Sequence, residues 1–354
     1  MDFRFTDEQQ MMADAVRSLL GDHCQPADLR RLMENGEPRD QARWQQIVEL
    51  GLQGVLVPEE SGGLGLGEAD FILVAEACGY AGLPEPLVEN AGVALPLLAG
   101  VARDPRAERL LESALEGAIT VAVKHPQNPF IADADTAGAI LTVSGGELYL
   151  CEPNDIELER QESIDPFRRL YSLADRPCPV AAIANVSDVA GDLGRALNRG
   201  ALFASAQLLG IAQRAVDLAV AYAKERSQFG KPIGSYQAIK HLLAEAQVRI
   251  EFARPVVYAA AGGFDSTDIH SRARISHAKI AASMAADLAC RTAVQVHGAM
   301  GYSWEVDVHF FLKRALALAT WWGDERFHRE RVAERVLSQP LGAEHAFARE
   351  ANNA

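Results

Sequence analysis

The segment Arg226–Phe229 carries the side chains in this sequence that are best suited to bind a ligand. The stretch before it, Leu208–Arg226, is apolar at helical spacing with a basic end, and helical spacing resumes over Tyr236–Ala261. Glycines and a proline between these stretches indicate a turn. A guanidinium, two polar donors and an exposed ring suit a ligand that carries phosphate and a ring. An ordinary helical hairpin with a surface arginine would show the same pattern, so the turn alone leaves both interpretations open.

Helical periodicity extends over most of the chain outside a central segment. Near the N-terminus, Thr6 begins a capping-box pattern, and Gly21 is expected to close the first helix. A second helix is predicted to begin near Asp40. The other predicted helices cover approximately Glu68–Gly79, Leu87–Leu98, Pro105–Leu115, Asp192–Arg226, Tyr236–Ala261, His270–Val296, Asp307–Trp321 and Glu325–Leu337. Alanines at contact positions of the C-terminal helices allow close antiparallel packing, as in a four-helix bundle.

The central segment changes to short apolar or alternating runs, which are typical of strands. The predicted strands are Ile119–Val123, Ala139–Val143, Glu147–Cys151, Leu170–Leu173 and Pro179–Ile183. The sequence therefore predicts a mainly α protein with a small β-domain. We expect an N-terminal helical domain over 1–117, a β-domain over 118–189 and a C-terminal helical bundle over 190–354.

The composition disfavours several classes of partner. The chain has 354 residues, 49% of them hydrophobic, and a formal net charge of −14, which argues against nucleic acids and anionic membranes. A local basic patch can still bind an anion. We expect a cytoplasmic protein, because the sequence shows no signal-peptide pattern and no apolar run of bilayer-spanning length. The five cysteines have no metal-ligand spacing, so no metal site is expected and they are predicted to be small core residues: Cys24, Cys78, Cys151, Cys178 and Cys290.

Three segments together resemble the acyl-CoA dehydrogenase family. RSQFGKPIGSYQAIKHLLAE at 226–245 is similar to the family's helical pattern R-x-x-F-G-x-x-I-x-x-x-Q-x-x-x-x-x-L-A. QVHGAMGYSWE at 295–305 resembles Q-x-x-G-G-x-G-[YF]-x-x-E, and LGLQGVLVPEESGGLGLG at 50–67 resembles the N-terminal L-G-x-x-G-x-x-x-P-x-x-x-G-G-x-G. The last segment lacks the lysine and the strand–loop–helix context of a nucleotide loop, so we interpret it as a turn.

This resemblance implies the acyl-CoA dehydrogenase fold, with an N-terminal helical domain, a middle β-barrel and a C-terminal four-helix bundle. The barrel is expected to be reduced, because the family's Gly-Ser-Asp loop and Trp-Ile-[Thr/Ser] segment beside the flavin are missing. Asp165–Arg169 still resembles the family's Asp-Pro-x-Arg strand entry.

The resemblance also implies FAD as the cofactor. Family members oxidise the Cα–Cβ bond of an acyl-CoA, where a carboxylate removes the α-proton and the flavin takes a hydride. His297 lies in one of the resembling loops and is expected to be a polar surface histidine. The residues that the family pattern assigns to FAD, partly across a subunit interface, are Arg226, Gln228 and Phe229 at the pyrophosphate, Gln237 at a further inter-subunit contact, and Gln295, Gly298 and Ala299 at the adenine end.

The same resemblance leaves the chain without a catalytic carboxylate. The commoner family position of the base is occupied by Trp322, and the alternative position by Gly200. Asp324 and Glu325 are the carboxylates nearest in sequence, and a shift of one or two residues would bring one of them to the base position. Alternatively, Asp324 caps the following helix and Glu325 is an acidic residue of its first turn.

A chain of this kind resembles the short, degenerate subunit of heteromeric acyl-CoA dehydrogenases of bacterial steroid side-chain degradation. That resemblance implies an α2β2 heterotetramer in which a catalytic sister subunit carries the glutamate and this chain completes the FAD site. The acyl-CoA substrate would bind through the complex, and an electron-transfer flavoprotein would accept the electrons. Two alternatives stay open: a self-sufficient homomeric dehydrogenase with Asp324 or Glu325 as base, and a non-catalytic scaffold that binds acyl-CoA or another protein.

Overall fold

The computed structural model describes residues 4–37, 39–102, 105–173, 180–265 and 267–338. The N-terminal part of the chain is helical, and a π-helical turn, Asn90–Ala94, joins two of its helices. These helices are α1 (Asp7–His23), α2 (Pro26–Asn35), α3 (Gln41–Glu49), α4 (Glu68–Ala81), α5 (Leu87–Glu89), α6 (Leu95–Val101) and α7 (Pro105–Leu115).

The first helix begins as predicted and ends later. The Thr6 hydroxyl accepts from the Gln9 backbone N–H, and the Gln9 side chain accepts from the Thr6 N–H, which completes the capping box. Gly21 does not end the helix, so that prediction is wrong: α1 continues to His23. A glycine inside a helix costs only about 1 kcal/mol relative to alanine, which burial of neighbouring apolar residues such as Leu20 outweighs. Helix α2 was not predicted, although Pro26 at its first position is a start signal.

The C-terminal part consists of α8 (Ala190–Glu225), α9 (Gln237–Gly262), α10 (Ile269–His297), α11 (Val308–Thr320) and α12 (Glu325–Ser338). Helix α8 has 36 residues, so it is about 54 Å long, and it packs against α4, α9, α10 and α11. Gly79 and Gly210 allow α4 and α8 to cross closely, because a Cβ on either would overlap the backbone of the other helix. None of the described helices is long and apolar enough to cross a membrane.

Two small sheets lie between these helical parts. A four-stranded sheet has the order β1-β3-β4-β7, in which β1 and β3 are parallel and the other pairs antiparallel. A three-stranded antiparallel sheet has the order β2-β6-β5. The strands are β1 (Val121–Lys124), β2 (Ile131–Ala132), β3 (Ala139–Ser144), β4 (Glu147–Cys151), β5 (Leu158–Gln161), β6 (Leu170–Leu173) and β7 (Ala182–Asn185). The mainly α fold with a small β-domain is confirmed, whereas the domain boundaries stay predictions.

Some sequence predictions concern residues outside the described part of the chain. Pro179, the first residue of the last predicted strand, lies there, and so does Cys178. The other four cysteines are buried, as expected of small core residues: Cys24, Cys78, Cys151 and Cys290.

An ion pair joins the segment before β6 to the helices. Asp165 is buried, and its carboxylate accepts from the guanidinium of Arg314 on α11 and from the backbone N–H of Phe167. Arg314 also donates to the Leu83 carbonyl after α4, at 2.9 Å. These contacts fix the position of Arg168, whose guanidinium lies 4.0 Å from the ring centroid of Trp321.

Candidate functional site

A groove of about 610 Å³ lies beside the turn that ends α8. Arg226 is the exposed C-cap of that helix, and a small hairpin of β8 (Ser227–Gln228) and β9 (Lys231–Pro232) follows it. The Arg226 carbonyl accepts from the Ile233 N–H at 2.8 Å, which closes the turn. Among the residues predicted from the family pattern, five line this groove: Arg226, Gln228, Phe229, Gly298 and Ala299. The other two, Gln237 and Gln295, are exposed and lie outside its lining.

Phe229 adopts a conformation that a phenylalanine rarely takes. Its φ is 52°, in the left-handed region, and its residue surface is 92% exposed. Both features cost free energy in the isolated chain, and such strain concentrates at ligand and partner sites. The side chain is therefore available to a ligand or to another subunit.

His297 and Tyr222 form one wall of the groove. Their rings stack at 4.2 Å with an interplanar angle of 24°. His297 is only 5% exposed, so the prediction of a surface histidine is wrong. Its Nδ1 lies 2.7 Å from the Ala293 carbonyl, which only accepts, so Nδ1 carries the proton and Nε2 is left as an acceptor. Burial lowers the pKa of His297, which keeps the ring neutral.

The two positions where the resemblance places a base are in contact with each other. Trp322 is 1% exposed, and its indole covers Gly200 of α8. A Cβ on Gly200 would lie 2.6 Å from the indole Cγ and closer still to two other ring atoms. The indole therefore occupies the space that any side chain at Gly200 would need, and neither position offers a proton acceptor.

Buried polar side chains hold Trp322 in place, although its φ of 60° is in the left-handed region. The Asn128 side-chain carbonyl accepts from the Trp322 N–H at 2.9 Å, and His328 Nε2 donates to the Trp322 carbonyl at 3.1 Å. Lys279 Nζ donates to the carbonyls of Ala319 and Gly323. Burial lowers the pKa of Lys279 to about 7 and that of His328 to about 3. These contacts support a strained backbone, as occurs at functional sites.

A carboxylate from another part of the chain contacts Trp322. Both carboxylate oxygens of Glu89, at the end of α5, accept from the indole Nε1 at 3.2 Å. Asp324 and Glu325 are exposed: Asp324 accepts from the Phe327 N–H and caps α12, and Glu325 pairs with Arg329. Glu89 was not predicted from the sequence, because nothing in the local pattern of α5 indicates a contact with a residue so distant in sequence.

Glu89 is half-buried, between the indole of Trp322 and the guanidinium of Arg168. Burial raises its pKa, while the Arg168 guanidinium and the indole N–H of Trp322 act in the opposite direction. In the part of the chain that the structure describes, Glu89 lines two cavities, with volumes of about 40 and 20 Å³. Each is comparable to the volume of roughly one water molecule, about 30 Å³, so neither would admit an acyl chain.

Comparison with known proteins identifies the family. Residues 6–118 match the model of the acyl-CoA dehydrogenase N-terminal domain, and residues 192–337 match that of the C-terminal domain. Acyl-CoA dehydrogenase IpdE2 of Mycobacterium tuberculosis is 32% identical over 336 residues, which cover 94% of this chain and 99% of IpdE2. The chain belongs to the acyl-CoA dehydrogenase family.

Solved structures agree with this acyl-CoA dehydrogenase fold. A chain of the ChsE4-ChsE5 complex from Mycobacterium tuberculosis superposes with a TM-score of 0.81 and 22% identity, covering 96% of this chain and 100% of that one. A variant of the Tcur3481-Tcur3483 steroid ACAD also superposes with a TM-score of 0.81 and 22% identity, covering 94% of this chain and 98% of that one. At this level of identity the likeness supports the fold alone.

Membership of the acyl-CoA dehydrogenase family implies FAD, and the residues present fit one end of that cofactor. The groove offers the Arg226 guanidinium, the exposed Phe229 ring and open space beside Gly298, where a Cβ would meet nothing within 4 Å. A groove of about 610 Å³ is within the range of about 300–1,000 Å³ usual for small-molecule sites. Trp322 is buried and does not line this groove. The fit therefore concerns the nucleotide end and not the ring end.

Proposed function

We propose that this chain is the subunit of a heteromeric acyl-CoA dehydrogenase that lacks the catalytic glutamate and completes the FAD site of a sister subunit. The contact between Trp322 and Gly200 carries this proposal. A working site needs a carboxylate within hydrogen-bond reach of the substrate α-carbon and room for the acyl chain. Here one family position holds an indole, and that indole fills the space at the other.

The groove beside α8 supports the role in cofactor binding. Arg226 would pair with the pyrophosphate of FAD held mainly by the sister subunit, because a guanidinium binds phosphate oxygens with charge-assisted hydrogen bonds. Phe229 would cover an adjacent surface of the cofactor or of that subunit. When bound, FAD supplies the hydride acceptor for oxidation of the Cα–Cβ bond. The contribution of this chain is to bind and orient the nucleotide.

Related complexes support the assembly. The ChsE4-ChsE5 and Tcur3481-Tcur3483 structures are each named as a pair of different chains, and the second is named as a steroid ACAD. By analogy, we propose an α2β2 heterotetramer that acts on a steroid side-chain acyl-CoA in the cytoplasm and passes its electrons to an electron-transfer flavoprotein. Because Trp322 occupies the catalytic position of this chain, only the sister subunits would have working sites. Such a complex would therefore bind half the usual number of flavins.

The proposal is tested by purifying the chain alone and after co-expression with a family member that carries a glutamate at the base position. We expect the chain alone to retain little flavin and to show no bleaching of flavin absorbance by acyl-CoA. The complex should contain one flavin per pair of subunits, which is half the usual number. Acyl-CoA should bleach the absorbance of that flavin. A chain that binds FAD alone and is bleached by acyl-CoA would contradict the proposal.

The homomeric alternative has one observation in its favour, the carboxylate of Glu89 beside Trp322. If the isolated chain is active, Glu89→Gln, Asp324→Asn and Glu325→Gln will show which carboxylate acts as base. The exposed, capping position of Asp324 argues against it, and so does the ion pair of Glu325. A chain that binds acyl-CoA but forms no flavin-containing complex would instead support the scaffold alternative.

A further inference from the structure

A second cleft lies where α1, α4, α8 and α9 meet. Its volume is about 280 Å³, close to the lower end of about 300–1,000 Å³ usual for small-molecule sites. Arg214, which lines it, is about 18 Å from Arg226 and about 21 Å from Gly200 along the axis of α8. The cleft is therefore separate from the groove at Arg226 and from the contact between Trp322 and Gly200.

The floor of this cleft is apolar and its walls are basic. Leu20 and Cys24 from α1 and its C-cap, and Ala77 and Ala81 from α4, are buried and form the floor. The charged residues of its lining are three arginines and one glutamate: Arg17, Arg214, Arg254 and Glu76. An excess of positive charge at this place contrasts with the net charge of −14 of the whole chain. The combination suits a ligand with a negative group and a hydrocarbon part.

Two of the three arginines already have carboxylate partners. Arg254 pairs with Glu76, which also accepts from the Tyr258 hydroxyl at 2.6 Å. Arg17 stands at the exposed rim and pairs with Asp14 at 2.8 Å. The charge of both guanidinium groups is therefore balanced without a ligand.

Arg214 differs from them. Among the described residues no carboxylate lies within ion-pair distance of its guanidinium, which donates to the Gln25 side-chain carbonyl at 3.0 Å and to the Tyr80 hydroxyl at 3.5 Å. Its Nε is buried and has no hydrogen-bond acceptor in the part of the chain that the structure describes. A buried Nε is out of reach of a ligand in the open cleft, but both acceptors of the terminal nitrogens are neutral. The charge of Arg214 therefore has no carboxylate counterion among the described residues, and an anion bound in the cleft would supply one.

We propose that this cleft binds a small organic monoanion, a carboxylate on a compact hydrocarbon body. The carboxylate accepts from Arg214, and the hydrocarbon part lies on the floor formed by Leu20 and Ala77. A dianionic phosphate fits less well, because Glu76 lines the cleft and the nearby Asp217 accepts from the Tyr80 hydroxyl. The volume is also too small for a nucleotide. This inference is independent of the proposed function.

The test uses the full chain and three probes of equal length: hexanoate, 1-hexanol and hexylamine. Isothermal titration calorimetry, or saturation-transfer NMR where heats are small, should show saturable one-site binding of hexanoate. Hexanol should bind at least tenfold more weakly, and hexylamine not detectably. Arg214→Gln should weaken hexanoate binding at least tenfold, because it removes the unpaired charge, whereas the rim variant Arg17→Gln should change it less than twofold.

Circular dichroism and thermal unfolding establish that both variants are folded. Arg214→Lys, which keeps the charge without the planar guanidinium, should retain part of the affinity and serves as a second variant. Equal affinities for hexanoate and hexanol, no binding to the natural chain, or unchanged binding in Arg214→Gln would each overturn the proposal. FAD retention is expected to be the same in all variants, so the outcome is independent of the FAD groove.

Discussion

The indole of Trp322 lies directly against Gly200, so that the loop between α11 and α12 is locked onto α8. Trp322 fits only because Gly200 has no side chain, and a side chain at Gly200 would fit only if Trp322 were smaller. The two positions at which a family base is expected are therefore coupled. Restoring a carboxylate at either of them would require a change at the other.

Gly200→Ala should show this coupling. We expect it to destabilise the chain by about 1–3 kcal/mol through overpacking against the indole, as measured by urea unfolding. In a Trp322→Ala background the same substitution should cost nothing or stabilise, since alanine favours helix by about 1 kcal/mol over glycine. Gly194→Ala on the same helix is the matched control, because a Cβ there meets nothing within 4 Å. Equal effects of Gly200→Ala in both backgrounds would show that the residues are independent.

Glu89→Gln should change the pH dependence of stability. The pKa of Glu89 is raised in the folded protein above its ordinary value of 4.5, so folding takes up a proton above that pH. The contribution of Glu89 to the free energy of unfolding therefore declines as the pH rises above 4.5. Glutamine does not titrate, so the Glu89→Gln variant lacks this decline. We expect the variant to gain stability relative to the natural chain between pH 4.5 and 7.5.

The comparison needs a second variant at the same position. Glu89→Ala leaves the indole N–H of Trp322 without its acceptor. It should lower the free energy of unfolding by about 1–3 kcal/mol at both ends of this pH range. A difference between Glu89→Gln and the natural chain that stays constant with pH would refute a raised pKa.

Arg226→Ala should weaken FAD retention in the complex with a sister subunit. Loss of a charge-assisted phosphate contact costs about 1.5–3 kcal/mol, or roughly ten- to a hundredfold in Kd. Fluorescence of released flavin during dilution measures this loss. Arg326→Ala, an exposed arginine on α12, is the control and should leave Kd unchanged. If both variants retain FAD equally, Arg226 does not bind the pyrophosphate.

His297 should recognise a hydrogen-bond donor and not a phosphate. Nitrogen-15 NMR is expected to show the neutral Nδ1–H tautomer at pH 7, because Nδ1 donates to the Ala293 carbonyl. Nε2 can then accept from the adenine amino group, so the hypoxanthine analogue of FAD should bind to the complex about tenfold more weakly. His297→Asn should reduce this preference, and the exposed His277→Asn should not. A cationic His297 at pH 7 would contradict this role.

Long-range contacts mark the limit of what the sequence predicts here. The helices of the C-terminal part were predicted to within a few residues, because apolar periodicity over long segments is a strong signal. Strand β5 was missed because its side chains are mostly exposed and polar. Glu89 was missed for another reason: only the folded chain brings it to Trp322. The residues of the groove at Arg226 were predicted only from the family pattern. The stack of Tyr222 on His297 was not predicted, because it depends on how α8 and α10 pack.

Helix α8 carries Gly200, Arg214 and its own C-cap Arg226 without interruption. Inserting or deleting one residue between Gly200 and Arg226 would rotate one of these positions by about 100° relative to the other. The phase of the helix thus fixes the directions in which Gly200, the second cleft and the groove at Arg226 face. Changes in chain length should be tolerated in the loops around the sheets, but any chimera made with a sister subunit must exchange α8 whole.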